Sequence, residues 1–163
     1  PTATPPHKVR HDGATDKERM DMLHLAVGTL HTACPVVVSD IELLRGGASY
    51  TVDTLRALHA RGETDLHLIV GTDMLLSFDK IWRAPDEIAR LASLAVCARE
   101  NEDWDALREK AAALKDSLGA IVELVQGDSL TISSTELRQG GDLHRFTAPA
   151  VADYIEREHL YGF

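Results

Sequence analysis

A short stretch near the carboxyl end of the chain combines residue types that bind phosphate. In LTISSTELRQGG, Ser133, Ser134 and Thr135 stand directly before Glu136 and Arg138. If Ser133 caps a helix, the first amides of that helix point outward, and the helix dipole favours an anion there. Ser134 and Thr135 would add hydroxyl donors, and Arg138 a guanidinium fork for phosphate oxygens. The alternative interpretation is a capping box of Ser133 and Glu136 that binds no ligand.

Two further clusters have compositions that suit ligand-binding loops. Gly71, Thr72 and Asp73 follow an apolar run. A glycine there would let a ligand approach the backbone, and the carboxylate could accept hydrogen bonds from sugar hydroxyls. A plain turn capped by Asp73 is the alternative. His7 and Lys8 follow two prolines and present cationic side chains, or else form a solvated basic loop.

Aromatic and hydroxyl residues mark two more candidate positions. Residues 49–51, Ser-Tyr-Thr, open a predicted helix and form either a polar cup for a small ligand or a helix cap. Phe78 and Trp82 lie four residues apart, so on a helix they would share one face. That spacing is typical of a core, although Trp82 followed by Arg83 would also offer a ligand stacking and charge.

The sequence predicts neither a metal centre nor a disulfide framework. Its eight histidines include no HxxxH or HExxH spacing, which argues against zinc. Cys34 and Cys97 are isolated among apolar neighbours. We therefore expect two small buried side chains in a protein of the reducing cytoplasm.

Composition limits the functional class. The 163 residues are 44% hydrophobic and 26% charged, as expected for one globular domain. The formal charge is −9 and no basic face is visible, so we expect no nucleic-acid partner. No apolar run approaches the roughly 18–20 residues of a membrane span, and no signal peptide is seen, which predicts a cytoplasmic location.

The elements that must position these residues alternate between strand and helix. A capping box of Thr15 and Glu18 predicts the start of a first helix. Further helices are predicted over residues 49–61, 84–91, 104–118 and 148–158, and strands over residues 36–39, 40–44, 66–70, 94–98 and 121–125. Because several strands are apolar on both faces, we predict a Rossmann-like α/β fold, with a mostly parallel sheet and helices on both faces. Ligands of such sheets bind beyond the carboxyl ends of the strands.

Five motifs occur in an order that resembles a known family. PPHK, SYTVDTL, GTDMLLSFDKIW, ISSTELR and the terminal VADYIEREHLYGF together span the chain. In this order they are similar to the bacterial nicotinate-nucleotide adenylyltransferases of the nucleotidyltransferase α/β superfamily. The resemblance implies transfer of the adenylyl group of ATP to nicotinate mononucleotide, giving deamido-NAD and pyrophosphate in NAD biosynthesis. It also implies Mg²⁺ bound with ATP, for which no protein ligand is assigned. A homo-oligomer is compatible with the resemblance.

The resemblance also implies roles for individual residues. His7, Lys8 and Arg138 would act at the reacting phosphates. The remaining residues of the ATP side would be Gly71, Asp73, Ile132, Ser133, Ser134 and Thr135, with Gly71 and Asp73 at the sugar. The nicotinate nucleotide would contact Tyr50, Thr51, Trp82 and Arg99, with Trp82 stacked on the pyridine ring.

Three departures from the family pattern bear on these roles. Arg83, Ala84 and Pro85 follow Trp82 where the family has an aromatic residue and then a second tryptophan. Arg99 is followed by Glu-Asn instead of Pro-Gly. The family's first strand, its HxGH motif and the following helix do not occur in the 163 residues. We therefore expect the chain to be a single nucleotidyltransferase domain without that βα unit, and to be inactive by itself.

Two other functions fit the same motifs. One is a related nucleotidyltransferase that acts on another phosphate ester, such as a pantetheine phosphate. The other is a nucleotide-binding domain without catalysis.

Overall fold

The computed structural model describes residues 1–4, 13–98, 104–127 and 134–163. The chain divides into two compact units. One, the sheet unit, is Tyr50–Ser129; the other, the helical unit, combines Pro1–Ser49 with Leu130–Phe163. None of the helices in these ranges is both long and apolar enough to cross a bilayer.

The described residues form ten α-helices and three strands, followed by a 3-10 turn at Leu160–Gly162. The strands are β1 (His67–Gly71), β2 (Ser93–Ala98) and β3 (Val122–Gln126). The helices are α1 (Asp16–Gly28), α2 (Ile41–Arg45), α3 (Thr51–His59), α4 (Thr72–Leu76), α5 (Phe78–Ile81), α6 (Pro85–Leu91), α7 (Trp104–Leu118), α8 (Ser134–Arg138), α9 (Leu143–Phe146) and α10 (Pro149–Arg157).

The sheet unit is built on three parallel strands in the order β1-β2-β3. Val70 of β1 pairs in register with Val96 of β2, which pairs with Leu124 of β3. Alternate side chains of β2 are buried, together with Val52, Leu75, Phe78 and other residues from the surrounding helices. The parallel sheet with helices around it confirms the predicted α/β fold class.

The side chains on the other face of the sheet correct the prediction for Cys97. Ile69, Cys97 and Val125 lie on the sheet face opposite the core cluster and are exposed. The predicted burial of Cys97 is therefore wrong, because period-two alternation turns it away from the core. Cys34 is exposed as well, in the irregular segment between α1 and α2.

The helical unit is centred on α1 and α10. The capping box of α1 is confirmed: Thr15 Oγ1 accepts from the amide of Glu18 at 3.2 Å, and Glu18 Oε2 accepts from that of Thr15 at 2.5 Å. Tyr154 on α10 donates its hydroxyl to Asp21 Oδ2 on α1 at 3.2 Å. A small core forms around α10, with Leu143, Ala152, Ile155 and Leu160 all buried.

The two strands predicted over residues 36–39 and 40–44 are wrong. Residues 36–39 have no regular structure, and Val37 is 82% exposed, so the β-branched run has no sheet to pack on. Ile41–Arg45 is a helix instead, and Gly46 with φ +68° ends it in a conformation that favours glycine.

Candidate functional site

The turn after β1 leaves Gly71 and Asp73 accessible. Gly71 is the N-cap of α4, with φ −80° and ψ 167°, so the capping role considered for Asp73 is wrong. A Cβ added at Gly71 would meet no atom within 4 Å. The exposed Asp73 carboxylate makes no hydrogen bond or ion pair to another described residue. Neither residue type is therefore explained by a contact inside the described part of the chain.

Tyr50 and Arg83 form a second feature of the sheet unit. The guanidinium carbon of Arg83 lies 4.4 Å from the centroid of the Tyr50 ring, within cation–π distance. Tyr50 is half-buried and Arg83 is exposed. Ala84, the next residue, has φ +53°, a left-handed conformation that is costly for a residue with a side chain. The turn that carries Arg83 is thus held in a strained backbone conformation.

Helices α3 and α6 fix the relative position of Tyr50 and Arg83. Arg56 on α3 donates to Glu87 on α6 from Nε at 2.8 Å and from Nη2 at 2.5 Å, and it also binds Asp53. The hydrogen bonds from Arg56 hold the pKa of the Glu87 carboxyl below its ordinary value. Farther along, His59 Nε2 lies 3.0 Å from the carbonyl oxygen of Leu91. The two helices therefore run side by side in the same direction, and their first turns adjoin.

Trp82 lies at the edge of the core. Its ring centroid is 5.3 Å from that of the fully buried Phe78, with a 40° angle between the ring planes. Phe78 is therefore a core residue, whereas Trp82 is only half-buried. Lys110 on α7 binds Asp79 beside Phe78 at 2.5 Å, which ties α5 to the longest helix of the unit.

The polar residues at the start of α3 have different environments. Ser49 does not cap the helix, because Tyr50 is the N-cap and makes no side-chain capping bond. Instead the buried Ser49 Oγ accepts from the amide of Ala3 at 2.9 Å. Thr51, the first residue of α3, is half-buried.

The described part of the motif that is predicted to bind phosphate forms α8 in the helical unit. Ser134, Thr135 and Arg138 are all exposed. The Arg138 guanidinium carbon lies 6.0 Å from the Tyr161 ring centroid, and no carboxylate of a described residue forms an ion pair with it. A cavity of about 430 Å³ opens here, lined by Gly13, Thr135, Arg138, Gln139, His159, Tyr161 and Gly162.

Comparison with known proteins identifies the family. The cytidylyltransferase-like family model matches residues 1–140. A probable nicotinate-nucleotide adenylyltransferase of Synechococcus sp. (strain JA-2-3B'a(2-13)) is 35% identical over 99% of this chain and 79% of its own length. Proteins of the same name from Citrifermentans bemidjiense and Herpetosiphon aurantiacus are both 36% identical over 99% of this chain, and over 82% and 80% of their own lengths.

The chain belongs to the nicotinate-nucleotide adenylyltransferases of the cytidylyltransferase-like family. Membership confirms the resemblance drawn from the five motifs and makes the protein a nucleotidyltransferase of NAD biosynthesis.

For this adenylyltransferase, the structure brings together only part of the predicted site. Thr135 and Arg138 line one cavity of the helical unit, whereas Tyr50 and Trp82 both pack against the core of the sheet unit. Five predicted residues lie outside the described residues: His7, Lys8, Arg99, Ile132 and Ser133. The predicted roles of individual residues remain predictions.

Sequence analysis assigned no role to the carboxyl-terminal residues of the cavity. His159 has φ +52° and Tyr161 φ +59°, two left-handed conformations at residues that rarely adopt them. The motif EHLYGF contained both residues, but their backbone conformation cannot be read from residue types alone. Strain of this kind is typical of functional positions.

The described ranges contain one cluster of side chains with the chemistry of metal ligands. His144, Asp153 and Glu156 place one ligand atom each within 4.8 Å of the others, and all three are exposed. His144 Nε2 lies 3.3 Å from Glu156 Oε1, the distance of an ordinary surface ion pair.

Proposed function

We propose that the protein transfers the adenylyl group of ATP to nicotinate mononucleotide, giving deamido-NAD and pyrophosphate. The family and the names of its relatives support this reaction class. The observation that carries the proposal is the cavity beside α8, where Thr135 and Arg138 present a hydroxyl and a guanidinium group to a concave surface. These are the donors that a nucleotide phosphate requires.

The phosphate side of the site would be formed by α8 and the segment before it. Arg138 would bind phosphate oxygens through its fork, and Ser134 and Thr135 would donate from their hydroxyls. The guanidinium has no carboxylate partner among the described residues, so it is available to an anion. His7, Lys8, Ile132 and Ser133 would complete this side, as the family resemblance implies.

The sheet unit contains a second group of residues that would contact nucleotide. Gly71 leaves open space above the backbone, and the Asp73 carboxylate, which has no partner among the described residues, would accept from ribose hydroxyls. Trp82, half-buried against Phe78, would stack on the pyridine ring. Tyr50, Thr51 and Arg99 would contact the same nucleotide.

The chemical step needs no bond to the protein. An oxygen of the mononucleotide phosphate forms a bond to the α-phosphorus of ATP while the bond from that phosphorus to the β-phosphate oxygen breaks. Pyrophosphate leaves with the electron pair of the broken bond. The protein contributes alignment of the two phosphates and neutralisation of their charge, and Arg138 is the described residue best suited to the second task.

Magnesium would enter with ATP. The described residues that line the cavity beside α8 include no carboxylate, so Mg²⁺ would be held there by phosphate oxygens and water, as it commonly is in nucleotide sites. Bound in this way, the ion supplies charge neutralisation.

The test is product formation by the full-length protein with ATP, Mg²⁺ and one acceptor at a time. We expect pyrophosphate and a dinucleotide with nicotinate mononucleotide, and strongly reduced turnover after Arg138→Ala. Turnover only with pantetheine phosphate would assign a related nucleotidyltransferase instead. ATP binding without turnover on any acceptor would mean a nucleotide-binding domain.

A further inference from the structure

Arg83 is one of the arginines of this acidic chain that no carboxylate of a described residue engages. The chain has 26 acidic and 17 basic residues, and Arg19, Arg56, Arg90, Arg108 and Arg157 each pair with a carboxylate. Arg83 is exposed, lies 4.4 Å over the Tyr50 ring, and has no carboxylate partner among the described residues. A cation without a carboxylate partner, held at a defined place, is available to a ligand anion.

The surroundings hold Arg83 in this place. The Arg56–Glu87 ion pair joins α3 to α6, and each helix begins beside one partner of the Tyr50–Arg83 contact. The left-handed backbone conformation of Ala84 directs the chain from Trp82 and Arg83 into α6. The guanidinium group carries five N–H donors, and no carboxylate of the described residues engages any of them.

We propose that Arg83 binds the ring carboxylate of nicotinate mononucleotide and thereby makes the enzyme prefer it to nicotinamide mononucleotide. This inference rests on the proposed function, in which the neighbouring Trp82 stacks on the pyridine ring. The two acceptors differ only in the ring substituent, a carboxylate in one and a neutral carboxamide in the other. A guanidinium fork can donate two parallel hydrogen bonds to the carboxylate. The carboxamide offers only one oxygen, and its NH₂ group faces the fork as a second donor.

Arg83 is thus a specificity residue and takes no part in the bond changes at phosphorus. Removing it should raise KM for the acidic acceptor and leave kcat nearly unchanged, because the carboxylate contact is the same in the ground state and in the transition state. A purely structural role, in which Arg83 only covers the Tyr50 ring, would affect both acceptors alike.

The experiment compares kcat/KM of the full-length enzyme for the two mononucleotides. The variants are Arg83→Ala, Arg83→Gln and Arg83→Lys, with melting temperature and KM for ATP measured alongside. We expect Arg83→Ala and Arg83→Gln to lower kcat/KM for nicotinate mononucleotide about 10- to 100-fold, the range for a lost charge-assisted hydrogen bond. The value for nicotinamide mononucleotide should change less than about 3-fold, and Arg83→Lys should recover part of the loss because it keeps the charge without the fork.

Arg90→Ala is the matched control, since Arg90 is an exposed arginine on α6, the helix that follows Arg83, and it pairs with Asp86. It should leave the ratio of the two kcat/KM values unchanged. Equal losses on both acceptors, unchanged kinetics of Arg83→Ala, or a wild-type preference for nicotinamide mononucleotide would each overturn the inference. A wild-type enzyme inactive with both mononucleotides would instead refute the proposed function.

Discussion

At the scale of single residues, Gly71 is a position where the fold does not require glycine but a bound ligand would. Its φ of −80° suits any residue, and an added Cβ would touch no protein atom within 4 Å. Glycine is therefore not demanded by the described structure around it. If ATP approaches the backbone here, the methyl group of an alanine would occupy the space that the nucleotide needs.

We therefore expect Gly71→Ala to weaken ATP binding without loss of stability. Stability should be unchanged or raised by about 0.4–1 kcal/mol, because alanine restricts the unfolded chain. Isothermal titration with ATP and thermal unfolding measure the two effects. Gly28→Ala, where an added Cβ also meets no atom within 4 Å, controls for the change in residue type. Wild-type ATP affinity in Gly71→Ala would mean that no ligand approaches this backbone.

The side chains of α8 lead to a graded prediction. Arg138→Ala should weaken ATP binding by about 1.5–3 kcal/mol, because it removes a charged donor, whereas Thr135→Ala should cost about 0.5–1.5 kcal/mol. Arg138→Lys should recover only part of the loss. Titration with ATP gives all three values. Arg145→Ala removes another exposed arginine of the helical unit, one that contacts the Phe146 ring at 5.0 Å, and should leave ATP affinity unchanged. Equal affinities for wild type and Arg138→Ala would reduce the motif to a capped turn.

At the scale of elements, the spacing of apolar residues predicted the bounds of the strands and of the helix that pack on the core. The three strands of the sheet differ from their predicted bounds by one residue at most, and α7 has its predicted bounds of Trp104–Leu118. These segments bury side chains on the core, so their periodicity is under strong physical constraint. Residues 36–44 are largely exposed, and there β-branched residues predicted strands that have no partner.

The link between α3 and α6 gives a prediction about pH. The hydrogen bonds from Arg56 lower the pKa of Glu87 from its ordinary value of 4.5 in the folded protein. Because this pKa is lower in the folded state, the ionised carboxylate stabilises the fold at pH values above its unfolded-state pKa. The stabilisation is lost as pH falls through the folded-state pKa. The melting temperature of Glu87→Gln should therefore lie below that of wild type at pH 7, and the difference should shrink progressively as pH falls below 4.5 and through the lower pKa of the folded state.

A second variant tests whether Arg56 is the cause. In an Arg56→Gln background, Glu87→Gln should no longer lower the melting temperature in a pH-dependent way, since the charged partner is gone. A difference that persists undiminished at pH 3 would show that the effect of Glu87 on stability does not come from its charge.

At the scale of the whole molecule, residue types predicted the functional class better than they predicted the site. The ordered motifs identified the family, and Thr135 and Arg138 do line a cavity. The contact of Tyr50 with Arg83 depends on how α3 and α6 pair, and the places of His159 and Tyr161 depend on left-handed backbone conformations. Such features arise from tertiary packing, which local residue patterns do not encode.

Of these relationships, the one between the residues farthest apart in the sequence joins Gly13 to Tyr161. A Cβ at Gly13 would lie 2.4 Å from Cδ1 of Tyr161, so only glycine leaves room for the ring at its present position. Tyr161 in turn lies beside Arg138 in the cavity proposed for ATP. Gly13 thus leaves the space that the Tyr161 ring occupies beside Arg138.

Gly13→Ala should consequently displace the Tyr161 ring and disturb the cavity. We expect a loss of about 1–3 kcal/mol in the free energy of unfolding, the usual cost of overpacking, together with weaker ATP binding. The double variant Gly13→Ala/Tyr161→Ala removes the clash, so its loss of stability should be smaller than the sum of the two single losses. Denaturant unfolding and ATP titration of wild type, both single variants and the double variant complete the cycle. Additive losses would mean that Gly13 and Tyr161 act independently, and that Gly13 does not set the shape of the cavity.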